Sequence, residues 1–186
     1  MGFLNILLII LGWIGLKYAL LGRTSFESSF LAGMIYNYTA LIVIAFITVF
    51  KQVKTRVNTP EFLDAFKMIS SKVMLYSVCA SFAITFWHHY LIRDITIKRL
   101  EDRVYEKMNA FENEDEFSVF VEENPPLKGM SLEQWIDKEV EGLEMIFSTG
   151  TQTSLTMMAY LLIGLFISLI ASFLWTKVWY TQQSIS

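Results

Sequence analysis

Four stretches of this chain are nearly continuous in apolar residues, and each is about as long as a bilayer is thick: residues 3–21, 30–50, 69–92 and 155–175. A hydrocarbon core of about 30 Å takes roughly 20 mostly apolar residues at about 1.5 Å of helical rise each. Inside hydrocarbon a segment has to satisfy its own backbone N–H and C=O groups, so runs of this length are read as helices. Composition agrees: 54% of the 186 residues are apolar, and the charges collect between the runs. The expected fold class is all-α, an integral membrane four-helix bundle with an extramembrane amphipathic helical hairpin between helices three and four. The expected domains are 1–92 (helices one to three with a basic loop), 93–150 (an acidic helical segment) and 151–186 (helix four and a short tail). The first run has no Lys or Arg before it and no small-x-small cleavage site after it, so it reads as an uncleaved helix. The single cysteine, Cys79, lies in the third run and reads as a small apolar filler.

The segment from 93 to 150 differs in kind. It holds 15 of the chain's 18 acidic residues and 7 of its 15 basic ones, a net charge of −8. Leu100, Val104, Met108 and Phe111 recur at three- and four-residue spacing and predict one amphipathic helix. Ser131 and Gln134 form a capping-box pattern that predicts the start of a second. Its apolar stripe is Leu132, Trp135, Ile136, Val140, Leu143 and Phe147. Between the two, Asn124-Pro125-Pro126 breaks the chain, because proline cannot continue a helix and restricts the residue before it. The acidic run at 112–116 lacks the alternation and glycine of a calcium loop and reads as a solvated face.

Basic residues in short loops stay cytoplasmic. The loop between runs two and three carries Lys51, Lys54, Arg56 and Lys67 against Glu61 and Asp64. Asn58-Thr59-Pro60-Glu61 supplies helix-start chemistry there, so helix three is expected to begin near Pro60 and approach the bilayer along its surface through Phe62, Leu63 and Phe66. The expected placement is a multi-pass protein of the cell inner membrane, both termini cytoplasmic and the acidic segment outside. Trp175, Trp179 and Tyr180 then form an inner aromatic belt, and Trp87, Tyr90 and Tyr160 an outer one.

Polar side chains inside hydrocarbon are costly and invite a reason. Lys17, Tyr36, Asn37, Tyr38, Thr85, His88, His89 and Tyr160 fall toward the outer ends of the four runs. They admit two readings. One is a shallow ligand site, with Lys17 as a fixed charge and His88 or His89 as a proton acceptor. The other is an interfacial belt in which Lys17 snorkels to the headgroups. The sequon Asn37-Tyr38-Thr39 lies within a span and reads as chance. Ser77, Ser81 and Thr85 in run three, and Gly164, Ser168 and Ser172 in run four, repeat every four residues. Such small-residue stripes let helices approach closely, and the two are expected to face each other, with hydroxyls bonding across.

No Walker loop, GxSxG, HExxH or GxGxxG occurs in the sequence. Neither an enzyme, a metal site nor a cofactor is expected. The expected partners are membrane lipids and a protein reached through the acidic segment, with no nucleic acid. The first function expected is an accessory or scaffold subunit. The alternative is a small transporter or a lipid- or ligand-binding protein that uses the outer polar residues.

The layout resembles a bacterial membrane family known as domain of unknown function 4199. The resemblance rests on a basic loop entering helix three through Phe62-Leu-Asp-Ala-Phe66-Lys67, an aromatic exit at Phe86, Trp87 and Tyr90, and a charged helical segment before the last span. It implies a bacterial four-helix membrane protein and carries neither an activity nor site residues.

Overall fold

The computed structural model describes residues 2–55 and 61–179, side chains at 52–55 and 178–179 excepted. Among these the regular structure is entirely helical: α1 Phe3–Leu20, α2 Phe26–Thr55, α3 Phe62–Phe86, α4 Arg93–Met108, α5 Glu114–Glu123, α6 Leu132–Phe147 and α7 Thr149–Phe173. π-helical turns follow α3 (Trp87–Leu91) and α7 (Leu174–Trp179), and a 3-10 turn spans Pro125–Leu127. Four helical stretches are long and apolar enough to cross a membrane: Phe3–Leu20, Phe26–Lys51, Phe62–Leu91 and Thr149–Lys177. Their outward side chains, Leu4, Leu8, Ile35, Phe82, Leu162 and Phe166 among them, are exposed and apolar. A surface of that kind suits lipid and not water, and it marks the chain as a membrane protein.

The chain divides into two compact units, Met1–Ile84 with Leu155–Ser186, and Thr85–Ser154. In the first, α1 and α2 pack antiparallel. The chain reverses at Gly22, whose φ of 72° lies in the left-handed region where a Cβ is unfavourable. The Ser25 Oγ then accepts the Ser28 N–H at 3.2 Å and starts α2 ahead of the apolar run. Ile6, Ile10, Trp13 and Lys17 form the buried face of α1 at alternating four- and three-residue steps. Helix α2 buries Asn37, Leu41, Ile44 and Thr48 at the same period, and α3 buries Ala65, Ile69, Val73, Tyr76 and Ala80. From α7 come Tyr160, Gly164, Ser168 and Ser172. The cap expected at Asn58, Thr59 and Pro60 lies outside the described residues, as does Tyr180. Trp175 is buried, not set in a belt.

The second unit holds three helices where the sequence suggested two. α4 and α6 run antiparallel: Lys107, in the last turn of α4, meets Glu139 at 2.6 Å, while Phe147 at the end of α6 shares a cleft with Arg93 and Leu100 of α4. The unexpected helix is α5. Its start is the acidic run: the Asn113 side chain accepts the Glu116 N–H at 2.9 Å, and Glu116 Oε2 accepts the Glu112 N–H at 2.9 Å. Those acids sit at the positive end of the α5 dipole, so the run begins a helix and is more than a solvated face. Phe111 does not extend the stripe of α4. That helix ends at Met108, which is exposed, and Phe111 turns back to meet Phe117, Phe120 and Trp135 at ring distances of 5.3, 5.2 and 5.2 Å. This aromatic cluster is the core of the unit. Ser131 and Gln134 close the capping box of α6, and Leu132, Trp135, Ile136, Val140, Leu143 and Phe147 are its less exposed side chains.

Candidate functional site

Lys17, Tyr36, Asn37 and Tyr160 belong to the first unit, and Thr85, His88 and His89 to the second. In the first unit three side chains make four hydrogen bonds that step along the α1–α2 pair. Lys17 Nζ donates to the Ser29 carbonyl at 3.0 Å and to Ser29 Oγ at 2.7 Å, Trp13 Nε1 to the Gly33 carbonyl at 3.2 Å, and Tyr36 Oη to the Ile9 carbonyl at 2.8 Å. Lys17 is 2% exposed, so it does not snorkel. Placed in the last turn of α1, its charge also faces the negative end of that helix dipole. Gly33 lets the two helices meet: a Cβ there would stand 3.0 Å from Trp13 Nε1 and 3.3 Å from Lys17 Cδ.

A second group joins α2, α3 and α7. Tyr76 Oη donates to Asn37 Oδ1 at 2.6 Å, and Asn37 Nδ2 donates to Tyr160 Oη at 3.2 Å. The sequence reading passed over Tyr76. A phenol so deep in a span needs a partner, and that requirement was the available signal. Asn37 is 1% exposed, with both amide atoms engaged, so the sequon is inaccessible in this fold. Tyr160 is likewise buried and is no belt residue.

The small residues of α3 and α7 lie close. A Cβ on Gly164 would stand 2.6 Å from Val73 Cγ1 and 3.2 Å from Ser77 Oγ, and Ser77 Oγ reaches the Tyr160 carbonyl at 3.2 Å. Of the remaining stripe hydroxyls, Thr85 reaches Thr153 of α7, while Ser81 bonds to the Ser77 carbonyl, Ser168 to that of Gly164 and Ser172 to that of Ser168, each on its own helix. The carbonyl four residues back is the nearest acceptor in an apolar setting.

In the second unit the π-helical turn Trp87–Leu91 widens the end of the third span, its Ile92 N–H reaching the Trp87 carbonyl at 3.0 Å. Such turns are frequent at functional sites. Trp87 and His88 are buried here, while Tyr90 is 68% exposed, so of the expected outer belt Tyr90 alone points outward. Thr85 Oγ1 pairs with Thr153 Oγ1 at 2.9 Å, His89 Nε2 with Gln152 Oε1 at 2.6 Å, and His89 Nδ1 with Thr149 Oγ1 at 3.2 Å. An amide oxygen only accepts, so His89 donates from Nε2 in this pairing. Thr149, Gln152 and Thr153 were missed from sequence. The polar run 149–154 opening an apolar span was the signal. Thr96 Oγ1 donates to the His88 carbonyl at 2.8 Å and ties α4 to the turn.

These elements enclose a cleft of about 500 Å³. His88, His89 and Tyr90 come from the turn, Arg93, Thr96, Ile97 and Leu100 from α4, and Phe147 and Thr149 from the junction of α6 and α7. Among the described residues no carboxylate lines it, and no three His, Cys, Asp or Glu side chains gather into a metal-binding group. The cleft thus combines one guanidinium, imidazole and hydroxyl edges, and an apolar wall. No known family model, curated protein or solved structure matches the chain.

Proposed function

We propose that the chain is a multi-pass accessory protein without chemistry of its own, which presents the acidic surface of α5 and α6 to a cationic protein partner. One observation carries this reading. Of the 15 carboxylates between 93 and 150, every one is exposed except Glu139, which is half-buried against Lys107. The aromatic cluster supplies the core of the unit, so most of those charges are not needed to hold it together. A predominantly negative surface of this kind raises the local concentration of cationic partners and speeds their docking. In this reading the chain sits in a bacterial inner membrane with both termini cytoplasmic and the acidic unit outside. The resemblance to domain of unknown function 4199 and the basic residues of the loop between the second and third spans support that placement.

The test is affinity purification of the full chain in mild detergent beside a variant carrying Glu112→Gln, Glu114→Gln and Glu116→Gln. A basic protein that co-purifies with the parent, is lost in the variant and is released by salt supports the reading. An identical set of co-purifying proteins from both chains defeats it. For the transporter alternative, the intramembrane groups Asn37, Tyr76 and Tyr160 hydrogen-bond one another, which supports a packing role for them over a conduction path.

A further inference from the structure

We infer that the cleft of the second unit holds the headgroup of an anionic phospholipid, with Arg93 on the phosphate and Ile97, Leu100 and Phe147 against the adjoining apolar carbons. Three observations converge on this. First, the lining suits an amphiphilic anion: a guanidinium binds phosphate through paired N–H groups, and the same cleft has an apolar wall and no carboxylate. A free phosphate would leave that wall unused.

Second, the cleft lies where two spans end. Tyr90 belongs to the last residues of the span Phe62–Leu91, and Thr149 is the first of Thr149–Lys177. Apolar side chains near it stay exposed, Leu91, Ile95 and Ile97 at 40–41%, as suits contact with lipid.

Third, charge is sorted along the unit. Its span-proximal parts, 85–100 and 145–154, carry Arg93, Lys98 and Arg99 against Asp94 alone, a net of +2. The remainder, 101–144, carries 14 acids and 4 bases, a net of −10. An anionic headgroup is repelled by the larger part and attracted by the smaller. The inference does not depend on the partner reading, since the two use different surfaces.

The experiment titrates the purified full chain, in a neutral detergent, with phosphatidylglycerol or phosphatidylcholine and counts bound lipids by native mass spectrometry. Saturable binding of phosphatidylglycerol is expected, about fivefold tighter than of phosphatidylcholine, and Arg93→Gln should remove about that factor. Leu100→Trp fills the cleft without changing charge and should weaken binding as well, so it tests the site even if the Arg93 variant fails to fold. Lys98→Gln, of equal charge change but outside the cleft, should bind as the parent does. Equal affinity for the two lipids overturns the inference. So does a Lys98→Gln loss as large as that of Arg93→Gln, which would mean diffuse surface attraction. Inorganic phosphate displacing the lipid at matched concentration would mean a free-anion site and overturns it too.

Discussion

Tyr76 donates its phenolic hydrogen to Asn37 Oδ1 across 2.6 Å, and Asn37 passes a second bond to Tyr160, so one buried amide links α2, α3 and α7. Tyr76→Phe removes one bond and should cost about 0.6 kcal/mol, the average for such bonds in membranes. Asn37→Leu removes two and leaves two phenols without their partner, at about 1–2 kcal/mol. The double variant should cost less than the sum, because both changes delete the same bond. Thermal denaturation in detergent measures all three. Equal cost for the single variants would mean that Tyr160 has no part in the link.

One substitution, glycine to alanine, should have opposite signs at two positions. At Gly164 the new Cβ meets Val73 Cγ1 at 2.6 Å, and the helices must shift, at about 1–3 kcal/mol. At Gly142, within α6, a Cβ meets nothing within 4 Å. There the change only reduces the backbone freedom of the unfolded chain and should stabilise by about 0.5–1 kcal/mol. Unfolding curves for the two variants decide it.

Trp135 packs against Phe111, Phe117 and Phe120 with ring centroids 5.2, 6.0 and 6.2 Å away. Trp135→Ala should cost about 3–5 kcal/mol. The loss should appear as rapid proteolytic cleavage near Asn124, since α5 has few other anchors. Unchanged cleavage kinetics would place the core of the unit elsewhere.

The Lys107–Glu139 pair is about one-third exposed on both sides, which limits its worth. A double-mutant cycle should give a coupling of about 0.5–1 kcal/mol that shrinks as salt is raised. Lys107 also sits 5.4 Å above the Trp135 ring. Lys107→Met should therefore cost more than Glu139→Gln, by the cation–π contribution of about 0.5–1 kcal/mol. The reverse order would show that the ring contact adds nothing.

Much of this architecture is legible in the residues. The four spans follow from hydropathy and length, the start of α6 from Ser131 and Gln134, and the chain break from Pro125 and Pro126. Local signals identify these features because their causes are local. The start of α5 was legible too, in the Asn113-x-x-Glu116 spacing of a capping box, but the density of acids around it suggested only solvent.

Sequence by itself determined that this protein meets lipid, where its helices run, and how charge is shared along the chain, because burial of apolar surface and satisfaction of the backbone act on consecutive residues. Tertiary structure alone decided which polar groups find one another. It buried Lys17 on Ser29 instead of releasing it to the headgroups, joined Asn37 to Tyr76 39 residues away, and set His89 against Gln152 63 residues away. Such pairs depend on how helices pack and rotate against each other, and that is settled by the fit of side chains distant in sequence, at Gly33 and Gly164 above all.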